Sequence, residues 1–291
     1  WGSRAPARGR LTRARAVPYT NAFRPGAPYK GEEILADLEK ILRDFRPTRI
    51  FVSHPADHHP DHAALYLFTR VALWDLKDEM TATIHPFLVH YPGWPAKGLR
   101  PNQELTPPDR LRAGFLWQSR ELAPADVAAK RIALAAHRTQ YGYSASRLLP
   151  FVRPNELYGD LTVQDLAAGG AVDLQGLSLR RAGSQLEIEM ALREPLGEDS
   201  TVALSAVGYR PDVPFAAMPK LEIRIAPHAW TVRDQGRLLP RTAAWGGTQG
   251  RTLAARIPLA SLNDPRRLFL QVRTGSRRSA SGQTPWWIVE L

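Results

Sequence analysis

Arg49-Ile50-Phe51-Val52-Ser53-His54-Pro55-Ala56-Asp57-His58-His59-Pro60-Asp61-His62 is the stretch whose reading decides the fold. Its first five residues favour a strand. The residues that follow it, Ala63 to Trp74, favour a helix. Between them stand four of the chain's eight histidines and two aspartates. Open α/β sheets build their sites at such strand-to-helix junctions.

Working outward, Gly31 to Phe45 predicts a helix with an apolar stripe of Ile34, Leu35, Leu38, Ile41, Leu42 and Phe45. Glu32 and Glu33 suit its first turn, and Pro47 ends it. After the helix of about 62–76, Thr83 to Tyr91 predicts a second strand, with Pro86 marking an edge. Pro92 to Pro108 reads as a loop, Pro124 to Gln140 as a helix, and 141–160 as irregular. This order predicts a Rossmann-like parallel α/β sheet over residues 1–160. Two strands cannot cover three helices, so the expectation is the later portion of a larger, N-terminally incomplete domain.

After about residue 160 the texture changes. Seven short runs predict strands: Leu186–Leu192, Thr201–Val207, Lys220–Ile225, Ala229–Val232, Thr252–Ile257, Leu268–Val272 and Trp286–Val289. Gly, Pro, Asn and Asp punctuate them. Residues 161–291 are therefore expected to form an antiparallel β-sandwich domain.

Composition narrows the chemistry. The chain of 291 residues has no cysteine, which excludes disulfides, thiolate-bound zinc and a cysteine nucleophile. Any metal must be held by imidazole and carboxylate. The net charge of +11 is mostly arginine spread along the chain, densest at Arg4, Arg8, Arg10, Arg13 and Arg15. No run interleaves it with aromatics, so nucleic acid is not an expected partner. No apolar stretch is long enough to span a membrane.

His59-Pro60-Asp61-His62 sets two imidazoles three residues apart at a helix start. Neutral imidazole is a common ligand for zinc-like metals. A catalytic zinc needs about three protein ligands and an open water position, and its bound water can then attack a carbonyl. A histidine nearby can donate a proton or stabilise an oxyanion. The competing reading is plain helix capping. Four histidines in nine residues favour the site.

Phe45 to Ser53 followed by this cluster resembles the second metal motif of LmbE-like/PIG-L deacetylases. The later helix, with Lys130, His137, Arg138, Thr139 and Gln140, is similar to that family's C-terminal helix. The resemblance covers about residues 15–160. It implies a hydrolase that removes an N-acetyl group from an N-acetylglucosamine-type substrate or glycoconjugate, using zinc or another divalent metal. Carried over by position, His62 is the metal ligand, His59 the acid or oxyanion stabiliser, and Asp61 its support. The family's first motif, Ala-His-Pro-Asp-Asp-Glu, is not found. His54-Pro55-Ala56-Asp57 imitates its spacing but is read as part of the second motif's loop. The expectation is a chain that lacks part of the catalytic set and does not deacetylate by itself.

His85 and His90 can face the same pocket, or one can be buried and the other exposed. His137 is expected to be structural, and His228 is assigned nothing. Trp230, Trp245, Trp286 and Trp287 form either a sugar-stacking platform or ordinary packing. The stretch Arg256 to Leu262 is faintly similar to carbohydrate-binding sandwich modules. The alternative function is therefore a carbohydrate- or surface-binding sandwich attached to a degenerate deacetylase remnant.

Overall fold

A computed structural model describes residues 5–9, 11–166, 170–174, 176–276 and 282–291. Arg4 and Arg10 of the basic patch lie outside them. The protein is mixed α/β, with strands dominating its later part. The helices are α1 (Gly31–Phe45), α2 (Pro60–Asp75), α3 (Pro124–Ala136) and α4 (Arg138–Leu148). The early strands are β1 (Arg49–Ser53), β2 (Thr83–Phe87), β3 (Phe115–Glu121) and β4 (Asn155–Leu161). Then follow β5 (Val163–Asp165), β6 (Ala171–Asp173), β7 (Leu177–Ala182), β8 (Gln185–Ala191), β9 (Ser200–Tyr209) and β10 (Lys220–Ala226). Last come β11 (Ala229–Asp234), β12 (Arg237–Leu238), β13 (Trp245–Gln249), β14 (Thr252–Pro258), β15 (Arg267–Ser276), β16 (Gly282–Gln283) and β17 (Trp287–Glu290).

Two compact units form. The larger holds residues 1–47, 68–81 and 162–291; the smaller holds 48–67 and 82–161. In the smaller unit β1 and β2 pair in parallel, from Arg49 with Thr83 to Ser53 with Phe87. β3 and β4 pair antiparallel, from Phe115 with Leu161 to Glu121 with Asn155. Both strands of this second pair stand where the sequence gives no strand signal. Residues 141–160, expected to be irregular, contain most of α4 and of β4. The helix expected over 124–140 breaks at His137 into α3 and α4.

In the larger unit the strand orders are β12-β11-β10-β9-β15-β17-β5, with β16 on β15, and β13-β14-β8-β7-β6. All the described pairings are antiparallel except β17 with β5. Alternation feeds one side of each sheet into a common apolar cluster. Leu204, Ile223, Leu268 and Leu270 enter from the first sheet, and Leu179, Leu186, Ile188 and Ile257 from the second. Trp286 and Trp287 are buried, so they belong to packing. Trp245 and Trp230 are less buried, but the guanidinium groups of Arg256 and Arg241 lie over their rings at 5.3 and 4.8 Å.

α1 buries Leu35 and Leu42. Ile34, Ile41 and Phe45, expected in the same stripe, are exposed. Its end is set by Arg46, whose φ of 48° is left-handed and breaks the helical path. No helix among the described residues is long and apolar enough to cross a membrane.

Candidate functional site at the end of β1

The junction after β1 sets two buried polar residues, His54 and Asp57, beneath the exposed His58, His59, Asp61 and His90. His54 extends the parallel ladder one residue past the strand, its N–H donating to the Phe87 carbonyl at 2.9 Å. Its ring is fully buried, stacked on Trp117 at 5.1 Å and against Phe115 at 4.6 Å. The Ala56 N–H donates to its Nδ1 at 3.0 Å, while Nε2 is buried with no partner. Burial pushes its pKa down to about 3, against the pull of Asp57. This ring is neutral and sealed. A Cβ at Gly159 would lie 2.6 Å from Trp117 and 2.8 Å from His54 Nε2, so only glycine allows β4 to close over it.

Asp57 is 1% exposed and ties two loops together. The N–H of His59 donates to its Oδ1 at 2.8 Å, and the N–H groups of His90 and Val89 donate to its Oδ2 at 2.9 and 3.1 Å. Burial raises its pKa. The backbone donors of His90 and His59, the His62 ring and the Val89 donor outweigh burial, and the net shift is downward. A charged carboxylate is therefore fixed beneath the cluster. The His58 N–H completes the strap by donating to the His90 carbonyl at 2.8 Å.

Above this anchor the rings of His59, His62 and His90 gather. His62 lies 4.7 Å from His59 and 5.1 Å from His90, and His59 lies 5.9 Å from His90. His62 Nδ1 is 3.3 Å from Asp57 Oδ2, but it is off the hydrogen-bonding axis and is left buried without a hydrogen bond. Pro60 opens α2, where its missing N–H costs nothing. Asp61 is exposed, with Oδ2 4.0 Å from His59 Nδ1, beyond hydrogen-bonding reach.

His85 stacks on Phe51 at 5.0 Å, away from these three rings, and its Nε2 is buried without a partner. Lys130 pairs with Glu156 at 2.5 Å. His137 is exposed rather than packed in a helix interior, and it lines a cleft with Gln140, His58 and His90. His228, in the larger unit, meets Glu198 at 3.1 Å.

Asp57 and His90 are the site residues that sequence reasoning undervalued. Asp57 carries a readable signal, because an aspartate two residues before a backbone N–H favours an Asx turn. His90 was readable only as one of two candidates with His85, since nothing local says which way a residue after β2 points; of the two it is His90 that joins His59 and His62.

Imidazole and carboxylate are suitable zinc donors. However, no three His, Asp or Glu side chains among the described residues are grouped so as to hold a metal ion. The arrangement does not fit a bound zinc. What it offers is a set of imidazoles, held by a buried carboxylate, that can hydrogen-bond a carbonyl or amide.

The histidine cluster thus stands at the end of a parallel strand and opens a helix, a polar site at a strand-to-helix junction. Residues 9–73 match the family model described as PIG-L: GlcNAc-PI de-N-acetylase. The match spans α1, β1, the cluster and nearly all of α2. It makes a deacetylase-type hydrolase the class to which this segment is related. No curated protein matches the chain.

Proposed function

We propose that the cluster is the carbonyl-facing half of an N-deacetylase site for an N-acetylglucosamine-type substrate. The carrying observation is the Asp57 strap inside the family-matching segment. It fixes the segment 88–90 against the loop before α2 and keeps three imidazoles within 6 Å of one another. His59, with its partly open ring, is positioned to hydrogen-bond the acetamido carbonyl. His62 is the metal ligand in this reading, and further donors are required before zinc is held. Asp61, 4.0 Å from His59 Nδ1, is the solvent-side support of that ring in this reading.

In this reading residues 1–160 are the later portion of a Rossmann-like deacetylase domain, for which the parallel pair β1–β2 is the support. Residues 161–291 are a β-sandwich accessory domain, supported by the two sheets that share one apolar cluster. The second reading makes that sandwich the working carbohydrate-binding part.

Ring-nitrogen NMR of the histidines during titration with N-acetylglucosamine separates the two. The expected result is a shift of the His59 and His62 signals with N-acetylglucosamine and none with glucosamine. Shifts confined to backbone signals of residues 170–291 would overturn the deacetylase reading and favour the second.

A further inference from the structure

The second sheet of the larger unit gives one face to the apolar cluster and turns the other to solvent. On the solvent face one row of side chains crosses four strands. Trp245 on β13 stands beside Arg256 on β14, Arg256 beside Glu187 on β8, and Glu187 beside Arg180 on β7. At the ordinary spacing between strands this row is about 14 Å long. The next row on the same face is Gly247, Ala254, Glu189 and Ser178.

Trp245 is the member that folding does not account for. It lies on the solvent side of an edge strand and stays 41% exposed, so most of what an indole gains by burial is forgone. Its ring rests over Gly247. A Cβ there would be 2.9 Å from ring atom Cζ2 and 3.2 Å from Cη2, so any larger residue would displace the ring. Gly246 answers to the other face, where a Cβ would meet Ile225 at 2.8 Å. The Trp-Gly-Gly run thus serves the core with one glycine and the indole with the other.

The polar neighbours are held in line with the ring. The Arg256 guanidinium is 5.3 Å from the ring centre, and its Nε is 3.9 Å from Glu187. Glu187 also pairs with Arg180. Exposed ion pairs contribute little to stability. Together the four side chains present an apolar plate, a planar donor, an acceptor and a second planar donor.

Such a row matches a sugar chain. A pyranose has a C–H face that packs on an aromatic plate and a rim of hydroxyl pairs that guanidinium and carboxylate forks can bracket. Across the two rows Arg180 and Arg256 are balanced by Glu187 and Glu189, which leaves no net charge to select an anionic chain.

We infer that this face binds a neutral, extended oligosaccharide, with one sugar stacked on Trp245 and the next units bracketed by Arg256, Glu187 and Arg180. The inference is independent of the deacetylase reading. It rests on the second reading, the carbohydrate-binding sandwich, and gives that reading a location.

Calorimetric titration of the full chain with cellohexaose, and with hexagalacturonate as its charged counterpart, tests it. Cellohexaose is expected to bind, and Trp245→Ala to weaken it about tenfold. Gly247→Val, which keeps the indole but pushes it off the strand, should weaken it as well. Circular dichroism checks that both variants fold. In the unaltered protein the Trp245 indole N–H signal, assigned by its loss in Trp245→Phe, should move with cellohexaose, a readout that needs no variant to bind. Full-strength cellohexaose binding by Trp245→Ala, with an unmoved indole signal, would overturn this location and leave the sandwich a carbohydrate binder. Hexagalacturonate binding tighter than cellohexaose would overturn the neutral-chain inference in favour of charge recognition. Binding of neither would sink the location and the carbohydrate-binding reading together, leaving the deacetylase reading untouched.

Discussion

The two units hold themselves together by different means. In the larger, Leu204, Ile223, Leu268 and their neighbours close a common apolar cluster between two sheets. In the smaller, Phe51, Leu116 and Ile132 are 58%, 60% and 72% exposed, and neither α3 nor α4 buries a residue. Polar anchors there add to an apolar core that includes Val52, Leu67, Leu105, Phe115 and Leu157. Of the eight buried polar residues described, five (Ser53, His54, Asp57, Arg153 and Asn155) lie in the smaller unit, and Thr69, Lys220 and Gln271 lie in the larger. Asn155 accepts from the Leu105 N–H at 2.7 Å and donates to the Leu105 carbonyl at 3.0 Å. Arg153 donates to the Pro150 carbonyl at 2.6 Å. Tyr66 donates to Asp160 at 2.6 Å, joining α2 to β4. Hydrophobic burial stabilises without direction, whereas buried hydrogen bonds fix geometry. The unit with the poorer core is the one with the better-defined polar site.

The sharpest way to break this contrast is truncation. Leu204→Ala in the larger unit should lower stability by about 2–5 kcal/mol, through lost transfer energy and a cavity. Phe51→Ala in the smaller should cost about 0.5 kcal/mol, since most of that ring is already in water. Urea unfolding of both variants measures the difference, and equal costs would erase the distinction.

The units should also answer pH in opposite directions. His54 has a folded pKa of about 3, below its ordinary 6.5, because burial disfavours the imidazolium. The unfolded chain therefore binds the extra proton between those values. Stability of the smaller unit is full above pH 6.5 and falls by at most about 1.4 kcal/mol per pH unit as pH drops toward 3. Asp75 in the larger unit is raised to about 6, first by burial and then by nearby Glu39, against the hydrogen bond from Tyr209. Its contribution is present below pH 3.8 and is lost as pH rises through 6, with a smaller amplitude because the group is partly solvated. Amide exchange read separately in each unit from pH 4 to 7 shows both trends. His54→Asn should flatten the first and Asp75→Asn the second.

Much of this fold was legible in the sequence. α1 and β1 were readable to the residue, because Pro47 and the polar cluster bound them sharply. All seven β-runs of the later part recur as strands, since period-two alternation records burial on one face. β3 and β4 were not legible. Gln118, Ser119 and Arg120 on one strand and Asn155, Glu156 and Asp160 on the other are polar, and they pair for reasons that lie in tertiary contacts such as Asn155 with Ser119. The helix break at His137 is likewise silent, with no glycine or proline to announce it. At the site, the histidine spacing was visible. Which carboxylate anchors it was not: the exposed Asp61 sits in the motif, while the buried Asp57 makes the contacts.

The central claim is that this cluster is a firmly anchored polar site in which His62 contributes one metal donor, not a complete zinc centre. Calorimetric titration of zinc into the protein tests it most directly. The account predicts no tight one-to-one binding, and the same heat trace for His62→Ala. A tight stoichiometric site that disappears in His62→Ala would contradict it.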